Sequence, residues 1–267
     1  MPLAMEDEDL NVSARLYVTA PLGAGLAVPL DADQAHYLRA VLRLGPGDGL
    51  SLFNGRDGEW RGRIVELGKN RGLVALEAQT RAQTAEPDLW LAFAPVKRAR
   101  IDYIAEKATE LGVTRLLPVM TRRTNMGRVN VERLQANARE AAEQTERLTV
   151  PVVEALQPLD RFLDGFPAGR RLMVCDETGR APSIARTLAD GAPRAAPWAL
   201  LIGPEGGFAP EELDGLRKLP FVTAVGLGPR VLRADTAALA ALAVFQALAG
   251  DWDTARGTLQ TTDAVPI

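Results

Sequence analysis

Two glycine-rich segments in the C-terminal third hold the residues best suited to chemistry. One reads Leu200-Leu201-Ile202-Gly203-Pro204-Glu205-Gly206-Gly207-Phe208, the other Gly226-Leu227-Gly228-Pro229-Arg230-Val231-Leu232-Arg233-Ala234-Asp235-Thr236-Ala237. Each is an apolar run that breaks into a glycine loop and then into helix-forming sequence. Glycine lets the chain turn tightly and a ligand approach bare N–H and C=O groups. Paired loops of this kind at strand ends build small-molecule sites largely from backbone. The first loop offers Leu201, Ile202, Gly203, Pro204, Glu205, Gly206 and Gly207 as cofactor contacts; the second offers Leu227, Gly228, Val231, Leu232 and Thr236. Neither carries the lysine and spacing that a nucleotide phosphate requires. The combination points to an adenosine-containing methyl donor rather than ATP or NAD.

The charged residues of these loops are the candidate catalytic groups: Glu205, Arg230 and Arg233. A carboxylate at Glu205 faces the strand ends where open α/β sheets bind ligands; its other role would be to cap the helix beginning near Pro210. Arginines just before a helix are not there for the helix dipole, which favours acids at that end. Contacts with an anionic substrate explain them better, with an interdomain or intersubunit salt bridge as the alternative. Asp235 and Thr236 are placed to cap the following helix, Asp235 foremost.

Absences narrow the chemistry further. His36 is the single histidine and Cys175 the single cysteine, so no His/Cys zinc site and no internal disulfide can form. One cysteine also fits a reducing cytoplasm. Ser13, Ser51 and Ser183 are the only serines, and none lies in a Gly-x-Ser-x-Gly elbow. No Walker lysine and no complete Gly-x-Gly-x-x-Gly after a strand appear, so kinase, ATPase, metalloenzyme, serine-hydrolase and dehydrogenase readings all weaken. The stretch 237–249 is the longest apolar run, but Gln246 interrupts it and it is too short to cross a bilayer. Glu6, Asp7, Glu8 and Asp9 make the start acidic and unlike a signal peptide.

The net charge of −3 over 267 residues conceals a basic middle. Residues 97–147 hold eleven Lys/Arg against seven Asp/Glu, a net of +4. Local fields guide phosphates at short range under physiological salt, so an acidic total is compatible with nucleic-acid binding. Solvated helix faces are the plain alternative.

The elements that must position these residues divide near 80–87. Before that point short strands are expected over 15–18, 50–53, 60–67 and 73–78, separated by turn residues such as Asn54-Gly55 and Asp57-Gly58. One helix interrupts them, capped by Asp31 or Asp33 and ending at Arg43 before Gly45-Pro46-Gly47. This describes a small, mostly β barrel. From Leu89 onward strands at 89–96, 115–120, 171–175, 198–202 and 222–227 alternate with helices at 101–111, 131–147, 182–188, 210–219 and 234–248. Apolar strands alternating with helices imply an α/β fold with a mainly parallel sheet covered on both faces. The division expected is a disordered tail at 1–13, a β-barrel at 14–80, a linker at 81–88, the α/β domain at 89–255 and a tail at 256–267.

The loops Gly203-Pro204-Glu205-Gly206-Gly207-Phe208 and Leu227-Gly228-Pro229-Arg230-Val231-Leu232-Arg233 resemble the paired cofactor loops of SPOUT-class methyltransferases, and more narrowly those of the RsmE family. That family methylates uridine N3 in small-subunit ribosomal RNA. Lys107-Ala108-Thr109-Glu110-Leu111-Gly112-Val113, following residues 97–100, is similar to its segment opening the catalytic domain. The run Glu140 to Pro151 is similar to its central helix and exit, and His36-Tyr37-Leu38-Arg39-Ala40-Val41-Leu42-Arg43 to the helix of its PUA-like domain. The resemblance spans nearly the whole chain after residue 14. Ala234-Asp235 stands where the family usually has Thr-Glu, and Arg123-Thr124 where it has Arg-Ser.

The resemblance implies a trefoil-knotted SPOUT domain preceded by a PUA-like RNA-binding barrel, a homodimer, and bound S-adenosylmethionine. It implies methylation of uridine N3 in 16S rRNA on assembled small subunits, in the cytoplasm, with neither metal nor membrane. Arg233, with Arg230, would stabilise charge developing on uracil carbonyls. Glu205 would accept the proton or orient the cofactor. Arg39, Arg43, Lys97, Arg98, Arg100, Arg122, Arg123, Gln144 and Arg147 are the candidate RNA contacts, with Arg61 and Arg63 beside them. His36 is structural or touches RNA. Two alternatives remain: a knotted methyltransferase acting on tRNA or a ribose 2′-hydroxyl, and a non-catalytic RNA-binding assembly factor.

Overall fold

The computed structural model describes residues 12–190 and 196–254. The expected tails lie outside the described residues, except that Val12 and Ser13 already belong to the first strand. Contacts divide the chain into two units. One runs to Thr84 and takes in Glu146–Thr149; the other comprises Ala85–Thr145 and the residues from Val150 on.

In the first unit, β1 (Val12–Tyr17), β2 (Ala27–Leu30), β3 (Gly49–Phe53), β4 (Glu59–Leu67) and β5 (Gly72–Arg81) form one sheet in the order β1-β3-β4-β5-β2. All its pairings are antiparallel except β1 with β3. β2 was not expected; it is four residues long and includes Pro29, which an end strand tolerates because one side needs no partner. Leu16, Val28, Leu38, Leu50, Leu52, Ile64 and Val74 fill the core. Helix α1 (Ala32–His36) starts at Asp31, whose carboxylate accepts from the Gln34 N–H while the Gln34 side chain accepts from the Asp31 N–H. It widens into a π-turn over Tyr37–Val41, which sinks Leu38 and leaves Tyr37, Arg39 and Val41 exposed.

The second unit is built on β6 (Leu89–Phe93), β7 (Arg115–Met120), β8 (Val152–Val153), β10 (Arg171–Cys175), β11 (Trp198–Ile202) and β12 (Val222–Val225), in the order β12-β10-β11-β6-β7-β8, while β9 (Gln157–Pro158) pairs the far end of β7. Every pairing is parallel. Strand side chains alternate between two cores. Leu91, Phe93, Met173, Leu200 and Ile202 face one side, packed by α2 (Arg98–Glu110), α3 (Val131–Gln144), α5 (Ile184–Ala189) and α7 (Ala234–Leu248). Ala92, Leu172, Val174, Ala199 and Leu201 face the other, packed by α4 (Leu159–Asp164) and α6 (Pro210–Arg217). Helices on both faces are what a parallel sheet demands. α3 stops short of the expected 147 because Glu146 adopts φ 60.

Candidate active site

Adjacent placement of β12, β10 and β11, all parallel, brings the segments after their C-terminal ends together. A cavity of about 250 Å³ opens there. Ile202, Leu227, Val231, Leu232, Ala234 and Ala237 supply an apolar wall; Asp176, Glu177, Thr178 and Glu205 supply polar groups. Gly207 is left-handed at φ 66, and a Cβ there would collide with Glu177 Oε1. That same oxygen accepts the Phe208 N–H at 3.1 Å, so the loop after β10 is laced to the loop after β11. Gly228, at φ 100, faces open space.

Asp176 anchors the β10 loop. Its side chain is buried; one oxygen accepts the Thr178 N–H at 2.8 Å and the other pairs with Arg217 of α6. Burial opposes its ionisation, but the hydrogen bonds from Thr178 and Arg217 outweigh it and hold the carboxyl below its ordinary range. Arg217 is correspondingly raised, chiefly by its bond to Asp176. Beside it the Cys175 thiol is pushed up to about 12 by burial and then by the charge of Glu177, which leaves it protonated and inert at neutral pH.

Glu205 lines the cavity and does not cap α6; that helix is closed by Glu212, whose Oε2 accepts the Ala209 N–H at 3.0 Å. Arg100 Nη1 lies 3.6 Å from Glu205 Oε1, and its Nε lies 3.8 Å from Asp235 Oδ2. Arg230 is exposed in the cavity lining, while Arg233 is exposed and occupies the N-cap position of α7. Asp235 therefore is not the cap: it sits in the first turn and its Oδ1 accepts the Thr236 N–H. Neither Arg230 nor Arg233 makes an ion pair among the described residues.

Of the cofactor candidates, Ile202, Gly203, Pro204, Glu205, Gly207, Leu227, Gly228, Val231 and Leu232 line the cavity. Leu201 points into the opposite core, Thr236 is exposed on α7, and the Gly206 carbonyl accepts from Arg123 at 2.8 Å. Cys175, Asp176, Glu177, Thr178 and Gly179 were missed. Their signal is positional: they end and follow the middle one of the three strands whose ends form the site, but carry no glycine pair.

The expected RNA contacts scatter into several settings. Arg39 and Arg43 are exposed on the first unit, and Lys97 is exposed at the start of α2, where Arg98 is the first residue. Arg61 and Arg63 pair with Glu77 across β4 and β5. Arg122 reaches Glu211 and donates its N–H to Glu212, and Gln144 donates to Glu140. Arg147 is a correction: it is buried, with Nη2 on the Thr149 hydroxyl at 3.1 Å, so its guanidinium is not presented to a phosphate. Arg100 and Arg123 are likewise engaged with the cavity loops. His36 is exposed.

An apolar wall, bare loop backbone and a few converging polar groups suit an adenosine-bearing ligand. Among the described residues no cluster of three or more His, Cys, Asp or Glu could hold a metal, and no helix is long and apolar enough to cross a membrane.

The profile of the RNA methyltransferase domain matches residues 84–246, and that of the RNA methyltransferase PUA domain matches 30–77. The ribosomal RNA small subunit methyltransferase E of Rickettsia conorii is 34% identical over 88% of this chain and 95% of its own. Its namesake from Synechocystis is also 34% identical, over 83% of this chain and 73% of its own. The solved structure of the Neisseria gonorrhoeae methyltransferase E, bound to S-adenosyl methionine, superposes with a TM-score of 0.80 at 29% identity, covering 90% of this chain and 99% of that one. A putative methyltransferase of Legionella pneumophila with bound cofactor gives 0.79 at 29%, over 90% of this chain and 99% of that one. With the fold, the cavity at three strand ends and these relatives in agreement, the chain belongs to the ribosomal RNA small subunit methyltransferase E family of RNA methyltransferases.

Proposed function

We propose that this protein transfers a methyl group from S-adenosylmethionine to N3 of a uridine in small-subunit ribosomal RNA. The observation that carries the reading is a cavity with exposed Arg230 in its lining and exposed Arg233 just beyond it on the same segment, neither in an ion pair among the described residues. Backbone of the loops after β11 and β12 would hold the adenosine, against the wall formed by Ile202, Leu227 and Leu232. When bound, the cofactor supplies a methyl group already activated by its sulfonium. The protein's tasks are then alignment and charge. Neutral uracil N3 is a poor nucleophile, so its proton must leave. Glu205 takes that proton, and Arg233, with Arg230, stabilises the negative charge that spreads onto the uracil carbonyls.

N3 is hidden in a Watson–Crick pair, so the target is unpaired or splayed RNA. Exposed Arg39, Arg43 and Lys97 supply phosphate contacts. Val231, 83% exposed on the cavity loop, supports a homodimer in which a second copy covers that side. The connection from β11 to β12 skips over β10 in the sheet, an order compatible with the knotted topology that the family resemblance implies. Cytoplasmic action follows from the substrate.

Arg233→Ala is expected to lower turnover at least about 100-fold, the scale of losing one donor to a developing anion, while cofactor affinity in calorimetry is largely kept. Unchanged turnover removes Arg233 from the chemistry. Mass mapping of nucleosides in small-subunit RNA, with and without the protein, should reveal one added 3-methyluridine. Label appearing in tRNA or on a ribose hydroxyl would select the neighbouring methyltransferase reading, and no cofactor binding at all would select an assembly factor.

A further inference from the structure

Glu205 sits between Pro204 and two glycines, on a loop without helix or strand to hold its side chain. Among the described residues its one ion pair is with Arg100, whose guanidinium lies 3.6 Å from Glu205 and 3.8 Å from Asp235. Three separate elements meet at this point: the first turn of α2, the loop after β11 and the first turn of α7. The three side chains are 32%, 39% and 19% exposed, so water screens the bridge and it adds little to stability. Nor does α2 explain it, because a cation near a helix N-terminus is unfavourable. A planar guanidinium with several fixed donors can face two carboxylates at once; an ammonium cannot hold the same plane.

We propose that Arg100 is a positioning residue for methyl transfer. It fixes the Glu205 carboxylate at the cavity, and Asp235 is the brace that sets the plane of the guanidinium. The inference rests on the reading of Glu205 as proton acceptor; Glu205 meets the substrate, and Arg100 and Asp235 act through it. Arg100 therefore leaves the set of phosphate contacts.

The test combines turnover on small ribosomal subunits, cofactor calorimetry and thermal melting for Arg100→Gln, Arg100→Lys, Glu205→Gln and the double variant R100Q/E205Q. R100Q is expected to lower kcat about 10- to 100-fold, the scale of a catalytic group displaced by about an ångström. Its KM for subunits, the salt dependence of that KM, its cofactor affinity and its melting temperature should stay near wild type. R100K should recover part of the loss, and R100Q/E205Q should be no slower than E205Q alone. A raised KM with a shallower salt dependence makes Arg100 a phosphate contact and overturns the proposal. So does a full R100Q effect persisting in the E205Q background, which leaves the role of Glu205 standing. Full activity of E205Q by itself instead removes Glu205 as proton acceptor, and the positioning role with it. If R100Q melts early, the kcat-to-KM split of R100K decides between the same outcomes.

Discussion

Asp176 follows β10 with its carboxylate sealed against Thr178 and Arg217, and its acidity is the measurable trace of that arrangement. The folded chain binds the ionised form more tightly than the unfolded chain does, since the group is held below its ordinary 3.8. The stabilisation is therefore complete above that value and disappears as pH falls through the depressed one. Asp176→Asn should cost about 2 kcal/mol at pH 7, the scale of hydrogen bonds to a charged group. In urea unfolding the deficit should narrow near pH 3; a deficit equal at both pH values would mean the charge is irrelevant. Cys175, protonated well into the alkaline range, should resist iodoacetamide at pH 8 in the native protein and react once urea unfolds it. At this scale the sequence is least legible. Arg100, Arg123 and Arg147 read alike as basic residues in a basic segment, yet their partners are carboxylates, a glycine carbonyl and a threonine hydroxyl. Which neighbour a long side chain meets is decided by residues far away in sequence, as with Arg100, Glu205 and Asp235.

Among the elements, β7, β10, β11 and α7 were readable to the residue, because each is an apolar run closed by glycine, proline or a polar cap. α4, β8 and β9 were not: two to six residues carry no period to detect. The three segments that make the cavity show the same contrast. The loops after β11 and β12 announce themselves by glycine, whereas Asp176-Glu177-Thr178 joins them only through sheet order. Gly207 and Gly228 allow the lacing of the loops to be tested. Both adopt positive φ, so alanine strains either position by about 1–2 kcal/mol. Only at Gly207 would the new methyl strike Glu177. Gly207→Ala should lose about tenfold or more in cofactor affinity and Gly228→Ala distinctly less, by calorimetry, since a shift of about 1.4 kcal/mol is a factor of ten. Equal losses would show that the Glu177 contact does not shape the site.

For the whole molecule, charge is distributed rather than summed. A net of −3 would repel RNA if it were spread evenly, but Arg39 and Arg43 stand exposed on one unit and Lys97 on the other. Replacing Arg39 and Arg43 together by alanine should weaken binding to small subunits and reduce the slope of log affinity against log salt by about one to two. A slope that does not move would show that these arginines meet no phosphate. The division into a β-rich and an α/β unit was legible from the change of period near 80–87, although nothing in the sequence marks Glu146–Thr149 as part of the first unit. The cavity walls have a consequence for how this protein tolerates change. On the proposed reading, in which loop backbone at the ends of paired strands holds the adenosine, side-chain replacements that leave the loop conformation alone also leave those recognition groups intact. A saturation scan should therefore be permissive along the loops and punishing at a few points: the positive-φ glycines, the charged groups around Glu205, and the apolar wall. Drift in the loop side chains would then leave the backbone recognition of the ligand in place.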